Sequence, residues 1–571
     1  AAGGNTYSGG TTITQGTLSV AADNALGASS GRLTFNGGTL QFGSAFNLAS
    51  SRAISTTSNN GAIDTQGFNT TIMQDITGSG GLTKLGDGTL TLNGVHSTYS
   101  GGTNVAAGTL IVGDLDAAAG LRGGGPLTIA PGATLGGYGS VTGNVTNNGT
   151  ISVANALPSL ASGLPGDFRI FGTLTNAGVV ELRGRVVGNG LAVSGNYVGQ
   201  NGAVNMNTTL AGDGAPSDTL LIGGVPAVAT ASGKTTLNVT NVGGAGALTK
   251  SDGIRLVYAV NFANTGNAFT LAGGTVSAGA YSYYLVKGGV TALTGEDWYL
   301  RSTVPPQPDQ PTQQSPFSVA DGTPESIAEA VRNAAPDAKP EPVYRPEVPL
   351  YSEVPAVARQ LGLLQIDTFH DRQGEQGLLA ENGSVPVSWS RVWGGYSDIK
   401  QNGDVTPSYD GTVWGMQVGQ DLYADNRPSG HRNHYGFFLG FSRAIGDVNG
   451  FALAQSDLGV GSLQVNAYNL GGYWTHIGPG GWYTDAVVMG SVLTVRTHSN
   501  NNVSGSTDGN AVTGSVEAGV PISLGYGLTL EPQAQLLWQW LSLARFNDGV
   551  SDVTWNNGNT FVGRIGARLQ Y

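Results

Sequence analysis

Two copies of one fifteen-residue stretch decide the fold of the N-terminal third of the chain. The first, TYSGGTTITQGTLSV at Thr6–Val20, matches the second, TYSGGTNVAAGTLIV at Thr98–Val112, at ten of fifteen positions. Both end on Gly-Thr-Leu-x-apolar, further copies of this short unit begin at Gly38 and Gly88, and a looser copy (GTISV) begins at Gly149. The copies recur near 20 residues or a multiple of that spacing, and a period of roughly 20 residues or more is typical of solenoids.

Each copy of the unit has the composition of one short strand between two corners. Leucine and valine alternate with threonine and serine, and glycine or asparagine bounds the run. This alternation favours a strand with one buried face. A single strand pair cannot bury a core, whereas stacked coils line a continuous one. The pattern therefore predicts a parallel β-helix, with a β-sandwich or a propeller as the strand-rich alternatives.

These motifs resemble those of a known family. Tyr7–Thr11 (YSGGT), its copy at Tyr99–Thr103, and Leu82–Leu90 (LTKLGDGTL) are similar to the passenger-associated repeat of bacterial autotransporters. The resemblance implies a right-handed parallel β-helix, with the repeats occupying residues 1–120.

A second resemblance covers the following region. Gly202–Leu221 (GAVNMNTTLAGDGAPSDTLL), through to Trp298–Leu300, resembles the pertactin-like end of autotransporter passengers. Residues 121–302 are then expected to be the end or cap of the β-helix, since an open end exposes unpaired backbone and apolar surface. In the family this region is a stable core that aids folding of the passenger outside the cell.

The composition changes between about residue 303 and residue 385. Twelve of the 24 prolines lie between Pro305 and Pro355, so 303–352 is predicted to be a Pro-rich, semi-rigid linker. Residues 353–376 carry apolar side chains at near-helical spacing, which by itself indicates a small amphipathic helix packed on a neighbouring domain. The resemblance implies the helix that threads the barrel pore and ties passenger to translocator.

The last third of the chain has a period-two pattern. Gln535 and Gln539, for example, alternate with Leu536, Trp538 and Trp540. A soluble sandwich would give the same alternation, but the length of the strands and the aromatic residues near their ends favour a transmembrane barrel. Strand candidates lie near 387–400, 412–424, 434–447, 461–476, 481–498, 510–524, 528–546 and 560–571.

The start of this region also resembles the family. Trp389–Tyr396 (WSRVWGGY) is similar to the opening strand of the autotransporter β-domain. The family barrel has twelve antiparallel strands, so the resemblance implies an incomplete barrel of about eight strands over 385–571. No signal peptide precedes the repeats, and we therefore expect a chain truncated at both ends; an isolated eight-stranded barrel is the alternative.

The composition excludes several classes of site. The chain has no cysteine, which removes disulfides, thiolate zinc sites, iron–sulfur clusters and thiol catalysis. Its net charge of −12 argues against a nucleic-acid partner. His96 is the single histidine before His370, and no serine nucleophile has a recognisable base. We expect no catalytic, cofactor or metal site, and no enzyme within the chain.

Charged residues of the barrel and its helix are the remaining candidates for a functional site. We expect them to join the helix to the lumen wall and to keep the pore hydrated; ordinary solvation of the lumen without a specific partner is the alternative. The candidates on the wall are Arg391, Asp421, Glu517, Glu531, Arg564 and Arg568, and those on the helix are Arg359, Asp367, Asp371 and Arg372.

The resemblance implies an outer-membrane autotransporter that translocates its own β-helical passenger and displays it on the cell surface, as an adhesin or a structural stalk. The implied partners are outer-membrane lipid, the outer-membrane barrel-assembly machinery, and a host-surface or cell–cell ligand for the passenger. The alternative is the stalk and translocator of a secreted enzyme, a protease or an esterase, whose catalytic domain lies upstream of residue 1.

Overall fold

The structure is a computed structural model that describes residues 4–114, 118–224, 228–304, 340–374, 382–385 and 387–571. It divides the chain into two compact units, Ala1–Pro342 and Val343–Tyr571. Most of the linker predicted over 303–352 lies outside the described residues.

The first unit is a stack of short parallel strands, which confirms the predicted β-helix. One sheet contains Thr11–Ile13, Leu33–Phe35, Ile54–Thr56 and Ile76–Gly78. A longer sheet contains Thr17–Val20, Thr39–Phe42, Gly61–Asp64, Thr70–Ile72, Leu82–Leu85, Thr89–Leu92, Thr103–Val105, Thr109–Val112, Leu127–Ile129, Thr134–Gly137, Val145–Asn147, Thr150–Val153, Leu174–Asn176, Val179–Glu181, Tyr197–Thr208, Ala231–Asn241 and Phe269–Leu271.

A third sheet has a parallel part followed by an antiparallel part. Its parallel part contains Gly120–Leu121, Ser140–Thr142, Asp167–Phe171, Gly190–Val193, Thr219–Ile222 and Ile254–Ala259. The strands Trp298–Arg301, Tyr281–Lys287 and Thr275–Ala278 then add in antiparallel order. These three strands bury Tyr283 and Leu300 and cover the parallel edge, which would otherwise expose unpaired backbone groups.

The leucine of the Gly-Thr-Leu unit builds the core of the β-helix. Leu90 pairs in register with Leu110, and Leu110 with Leu135, so that the leucines stack from coil to coil. All three side chains are buried, and burying each contributes about 1.5–3 kcal/mol. The corners need glycine for a separate reason: Gly86 has φ +76°, and a Cβ there would lie 2.3 Å from the backbone nitrogen of Gln66.

Some inward positions of the stack are polar. Lys84 pairs with Ile63 and Val105 in the same inward column and is buried. Its ammonium donates to the carbonyl oxygens of Leu85, Gly86 and Ala107 at 2.9, 2.6 and 3.1 Å. The charge is therefore held by backbone dipoles inside the corner, as a buried cation requires.

The second unit combines two helices with an antiparallel sheet. Helix α1 spans Glu347–Ile366 and α2 spans Phe369–Gln373, where the sequence predicts one helix over 353–376. Helix α1 begins earlier than predicted because Pro349 lies in its first turn, where proline is tolerated. The two helices are separated at Asp367, whose φ of 49° is not helical.

Eight long strands form the sheet in the described part of this unit. We number them β1 (Ser388–Lys400), β2 (Ser408–Asn426), β3 (Arg432–Ala452), β4 (Gln455–Ile477), β5 (Tyr483–Ser499), β6 (Ser504–Gly519), β7 (Leu528–Leu543) and β8 (Gly558–Gln570). Each pairs antiparallel with the next. Shorter strands are Thr303–Val304 with Glu341–Pro342 in the first unit, and Gly383–Ser384, Ile522–Gly525, Phe546–Asn547 and Asp552–Val553 here.

The number and positions of the eight strands agree with the sequence analysis, and most are longer than predicted. Strand β4, for example, runs over 23 residues, whereas the alternation predicts 461–476. The extra residues include Asp457 and Gly459, which hide the period-two pattern without preventing pairing. Among the described residues, no helix is both long and apolar enough to cross a bilayer.

Candidate functional site: the helix enclosed by the C-terminal sheet

Helix α1 is buried over most of its surface. Leu350, Val354, Val357 and Leu361 pack with inward side chains of the sheet in one hydrophobic cluster, and the polar Gln365 is buried as well. The side of the helix that carries Ser352 is less covered, since Ser352 is exposed. Strands β2 to β7 contact α1, and the inner face of the sheet forms the candidate site.

Glycine and glutamine set the distance between α1 and the wall. Gly362 faces β7, and a Cβ at this position would lie 2.2 Å from Nε2 of Gln539. Gln539 also donates to the carbonyl oxygen of Arg359 at 3.4 Å. On the opposite part of the wall, the amide of Gln417 donates to the carbonyl oxygen of Gln365. Close backbone approach and amide contacts thus fix the depth of the helix.

The N-terminal end of α1 is tied to the loop between β7 and β8. The guanidinium of Arg345 donates to the carboxylate of Asp548, and Tyr351 donates its hydroxyl proton to the same carboxylate at 3.1 Å. Glu347 accepts a hydrogen bond from Ser499 at 2.5 Å. Both Arg345 and Asp548 are buried, so the pair is strongly directional and screened from salt.

Asp367, at the junction of the two helices, contacts both the first and the last of the eight long strands, β1 and β8. Its carboxylate lies 2.5 Å from Arg391 on β1 and 3.5 Å from Arg564 on β8. Its backbone carbonyl accepts a hydrogen bond from Gln535 on β7 at 2.6 Å. The sequence analysis names all three of these charged residues, and the structure brings them together.

Helix α2 has its own contacts with the wall. Glu517 on β6 accepts a hydrogen bond from the backbone N–H of Phe369 at 2.9 Å. His370 lies 2.7 Å from Glu531 on β7. Carboxylates beside the first residues of a helix are stabilised by its free N–H groups and dipole. Both glutamates are among the predicted site residues.

Arg372 forms a deeply buried ion pair with the wall. It donates to Asp485 on β5 at 2.7 Å, and its guanidinium lies 5.5 Å from the ring centre of Tyr473. Asp485 also accepts from Thr475 at 2.6 Å. Charges on five strands, β1, β5, β6, β7 and β8, therefore contact the segment from Asp367 to Arg372.

The other predicted site residues have different surroundings. Asp421 binds wall residues: His434 at 2.7 Å and the hydroxyl of Tyr473. Asp371 bonds to Thr368, the N-cap of α2, at 2.5 Å. Arg568 lies opposite Glu531 in the β7–β8 register.

Sequence reasoning missed several residues of this site. Asp485, His370 and Tyr483 are not among the candidates, yet Tyr483 donates to Glu517 at 2.6 Å. Tyr483 and Asp485 stand on the inward face of a predicted strand, at alternate positions with Val487. A polar residue on an inward, otherwise apolar face is the signal that could have identified Asp485.

Comparisons with known proteins agree with this architecture. A family model described as autotransporter beta-domain matches residues 388–571, which are the strands β1 to β8. Models described as passenger-associated-transport-repeat and autochaperone domain type 1 match 2–20 with 82–112, and 172–285. The uncharacterized protein YdeU of Escherichia coli is 30% identical over 401 residues, which are 67% of this chain and 78% of that protein. The chain belongs to the autotransporter family.

Two further relatives of this autotransporter carry names that describe adhesion. The adhesin BmaC autotransporter of Brucella suis is 30% identical over 595 residues, and the autotransporter adhesin AIDA-I of Escherichia coli is 27% identical over 299 residues. The matches cover 99% and 52% of this chain, and 15% and 19% of those proteins. The autotransporter thus spans a small part of these relatives' length.

A solved structure is also similar. The crystal structure of the beta domain of the Bordetella autotransporter BrkA matches with 24% identity and a TM-score of 0.27, over 33% of this chain and 70% of that one. The names of the relatives give no support to the alternative of a stalk for a secreted enzyme, and the expectation that this chain has no enzyme activity stays a prediction. Family membership implies an outer-membrane β-domain and a surface passenger.

Proposed function

We propose that this autotransporter chain anchors in the outer membrane through β1–β8 and displays its β-helix on the cell surface for adhesion. The observation that carries the proposal is the packing of α1 on the inner face of the sheet, with charges from five strands contacting the segment from Asp367 to Arg372. A helix held in this way fixes the chain that precedes it to the membrane domain.

The ion pairs and hydrogen bonds that join Asp367 and α2 to the wall hold the helix in place, and we call this set of contacts the lock. An ion pair enclosed by protein is weakly screened, and removing one partner leaves a buried charge uncompensated. The lock therefore resists withdrawal of the helix more strongly than surface ion pairs would. Arg391, Arg564, Glu517, Glu531 and Arg372 are the residues that hold it, while Asp421 supports the wall.

The β-helix supplies the adhesive part. Its repeats (1–120) and its end (121–302) present long faces of threonine, serine and asparagine, which suit extended contact with a host surface or a neighbouring cell. The residues from 303 to 346, which precede α1, serve as the spacer. Insertion requires outer-membrane lipid and the barrel-assembly machinery as partners.

The first test is performed on intact cells that express the natural protein. We expect proteinase K to remove the β-helix without lysis, and a variant that lacks residues 4–302 to lose cell–cell aggregation or binding to host cells. Unchanged adhesion in the deletion variant would place the activity elsewhere in the protein.

The second test addresses the lock. Arg564→Glu places a carboxylate beside Asp367, so we expect a lower melting temperature of the folded band in heat-modifiable electrophoresis and less passenger at the surface. Arg568→Glu repeats the test opposite Glu531. If both variants secrete and melt like the unmodified protein, the charges only solvate the lumen.

A further inference from the structure

Two histidines meet at the end of the sheet where the turns between β2 and β3 and between β4 and β5 lie. His431 closes the first turn, and His476 is the second-last residue of β4. Nδ1 of His431 lies 3.2 Å from Nε2 of His476, and the rings are 5.3 Å apart. Both side chains are half-buried beside the ring of Trp482.

A tryptophan determines which nitrogen of His476 carries the proton. The indole Nε1 of Trp474 donates to Oδ1 of Asn433 at 3.2 Å, and an indole can only donate. The atom of Asn433 that it faces is therefore the oxygen. Nδ1 of His476 lies 2.8 Å from the same oxygen, so Nδ1 is the nitrogen that carries the proton when the ring is neutral.

The consequence is a lone pair on Nε2 of His476 that points at His431. When His431 carries its proton on Nε2, a second lone pair on Nδ1 faces the first. Two nitrogens bound to one zinc ion at about 2.0–2.1 Å with tetrahedral angles are about 3.3 Å apart. The observed 3.2 Å is close to the length of this edge.

We propose that His431 and His476 chelate a divalent transition-metal ion such as Zn²⁺ at this end of the sheet. Imidazole is a preferred ligand of zinc, copper and nickel. Asn433 is the residue that orients the ligand, in the position that a carboxylate or carbonyl commonly occupies behind a metal-bound histidine. This binding is independent of adhesion and of the lock around Asp367.

The charge of Arg427, which precedes His431 in the turn, opposes a cation beside His476. Its guanidinium is paired with Asp425 at 2.8 Å, which offsets this repulsion. No group of three or more His, Asp or Glu side chains in the described parts of the chain has metal-binding geometry. Water therefore completes the coordination, and the site binds metal more weakly than a closed structural zinc site.

The test is titration of the full, untagged chain in detergent micelles with zinc chloride, followed by calorimetry at pH 7. We expect one zinc ion per chain, and at least about a tenfold weaker affinity in His431→Gln and in His476→Gln. Asn433→Asp should bind zinc up to about tenfold more tightly, because a carboxylate makes the imidazole a stronger ligand. A merely structural Asn433 would not give this gain.

His498→Gln is the matched control, since His498 bonds to Ser504 at 2.9 Å on another strand and should leave zinc binding unchanged. Heat-modifiable migration checks the fold of each variant. Should a variant fail to fold, the unmodified chain still decides, because the proposal requires it to bind one zinc ion. Absence of stoichiometric binding to the unmodified chain, or binding that survives in the double variant, overturns the proposal.

Discussion

Arg372 on α2 and Asp485 on β5 form an ion pair of 2.7 Å in which both side chains are almost fully enclosed, with 1% and 2% of their surface exposed. The pair joins the end of the helical segment to the middle of the sheet, four strands away from the Arg391 that binds Asp367. The helix is thus held from opposite parts of the wall.

Breaking this pair should be costly. In Arg372→Met the carboxylate of Asp485 loses its partner inside the sheet, and we expect a loss of about 3–5 kcal/mol of unfolding free energy. The melting temperature of the folded band in heat-modifiable electrophoresis measures the effect. Arg427→Met removes an ion pair whose arginine is 63% exposed and should change stability by about 0–1 kcal/mol. Equal effects of the two substitutions would contradict the enclosure of Arg372.

Gly362 should not tolerate a larger side chain. A Cβ at this position meets Nε2 of Gln539 at 2.2 Å, so Gly362→Val should overpack the interface and lower stability by about 1–3 kcal/mol. Gln539→Ala in the same chain should restore part of the loss. Gly490→Ala on β5 is the control, because an added Cβ there meets nothing within 4 Å. Normal melting of the Gly362→Val chain would show that α1 lies further from β7.

Lys84 should make the stability of the β-helix depend on pH in the alkaline range. Burial lowers the pKa of its ammonium to about 8, compared with about 10.4 in an unfolded chain. Between these values the folded chain binds fewer protons than the unfolded chain, so the unfolding free energy rises with pH. This gain is lost again as the pH falls through 8.

The comparison for Lys84 is urea unfolding of the β-helix at pH 7.5 and pH 9.5. We expect the unmodified chain to gain about 1–2 kcal/mol more than Lys84→Met over this interval. Lys234→Met, at an exposed position, should behave like the unmodified chain. The prediction is wrong if the chain with methionine at position 84 shows the same gain.

The leucine ladder should carry much of the stability of the β-helix. Leu110 lies between Leu90 and Leu135 and is 1% exposed, so Leu110→Ala should cost about 2–5 kcal/mol through lost burial and a cavity. Leu164→Ala removes a side chain that is 82% exposed and should stay within about 0.5 kcal/mol. Urea unfolding of the β-helix separates the two, and similar midpoints would place Leu110 outside the core.

The polar interior was partly predictable. The sequence names Arg391, Asp367 and Arg564 as candidates, and the structure places all three in one cluster. It could not identify Asp485 or His370 as partners of the helix, because a strand pattern tells which face a residue occupies and not which residue of another element lies opposite. Asp421 has wall residues as partners, so its predicted role toward the helix stays a prediction.

Side-chain period and corner residues are local properties of the chain, and they predict the repeating strand, the inward leucines and the alternating faces of β1–β8. The partner opposite each inward residue follows from tertiary packing and cannot be read from these local patterns. Each of these contacts joins residues that are far apart along the chain. Examples are Lys84 with Ile63 and Val105, Asp367 with β1 and β8, and His431 with His476. Their contacts follow from how coils stack and strands pair, and the energy of a buried charge depends on those contacts.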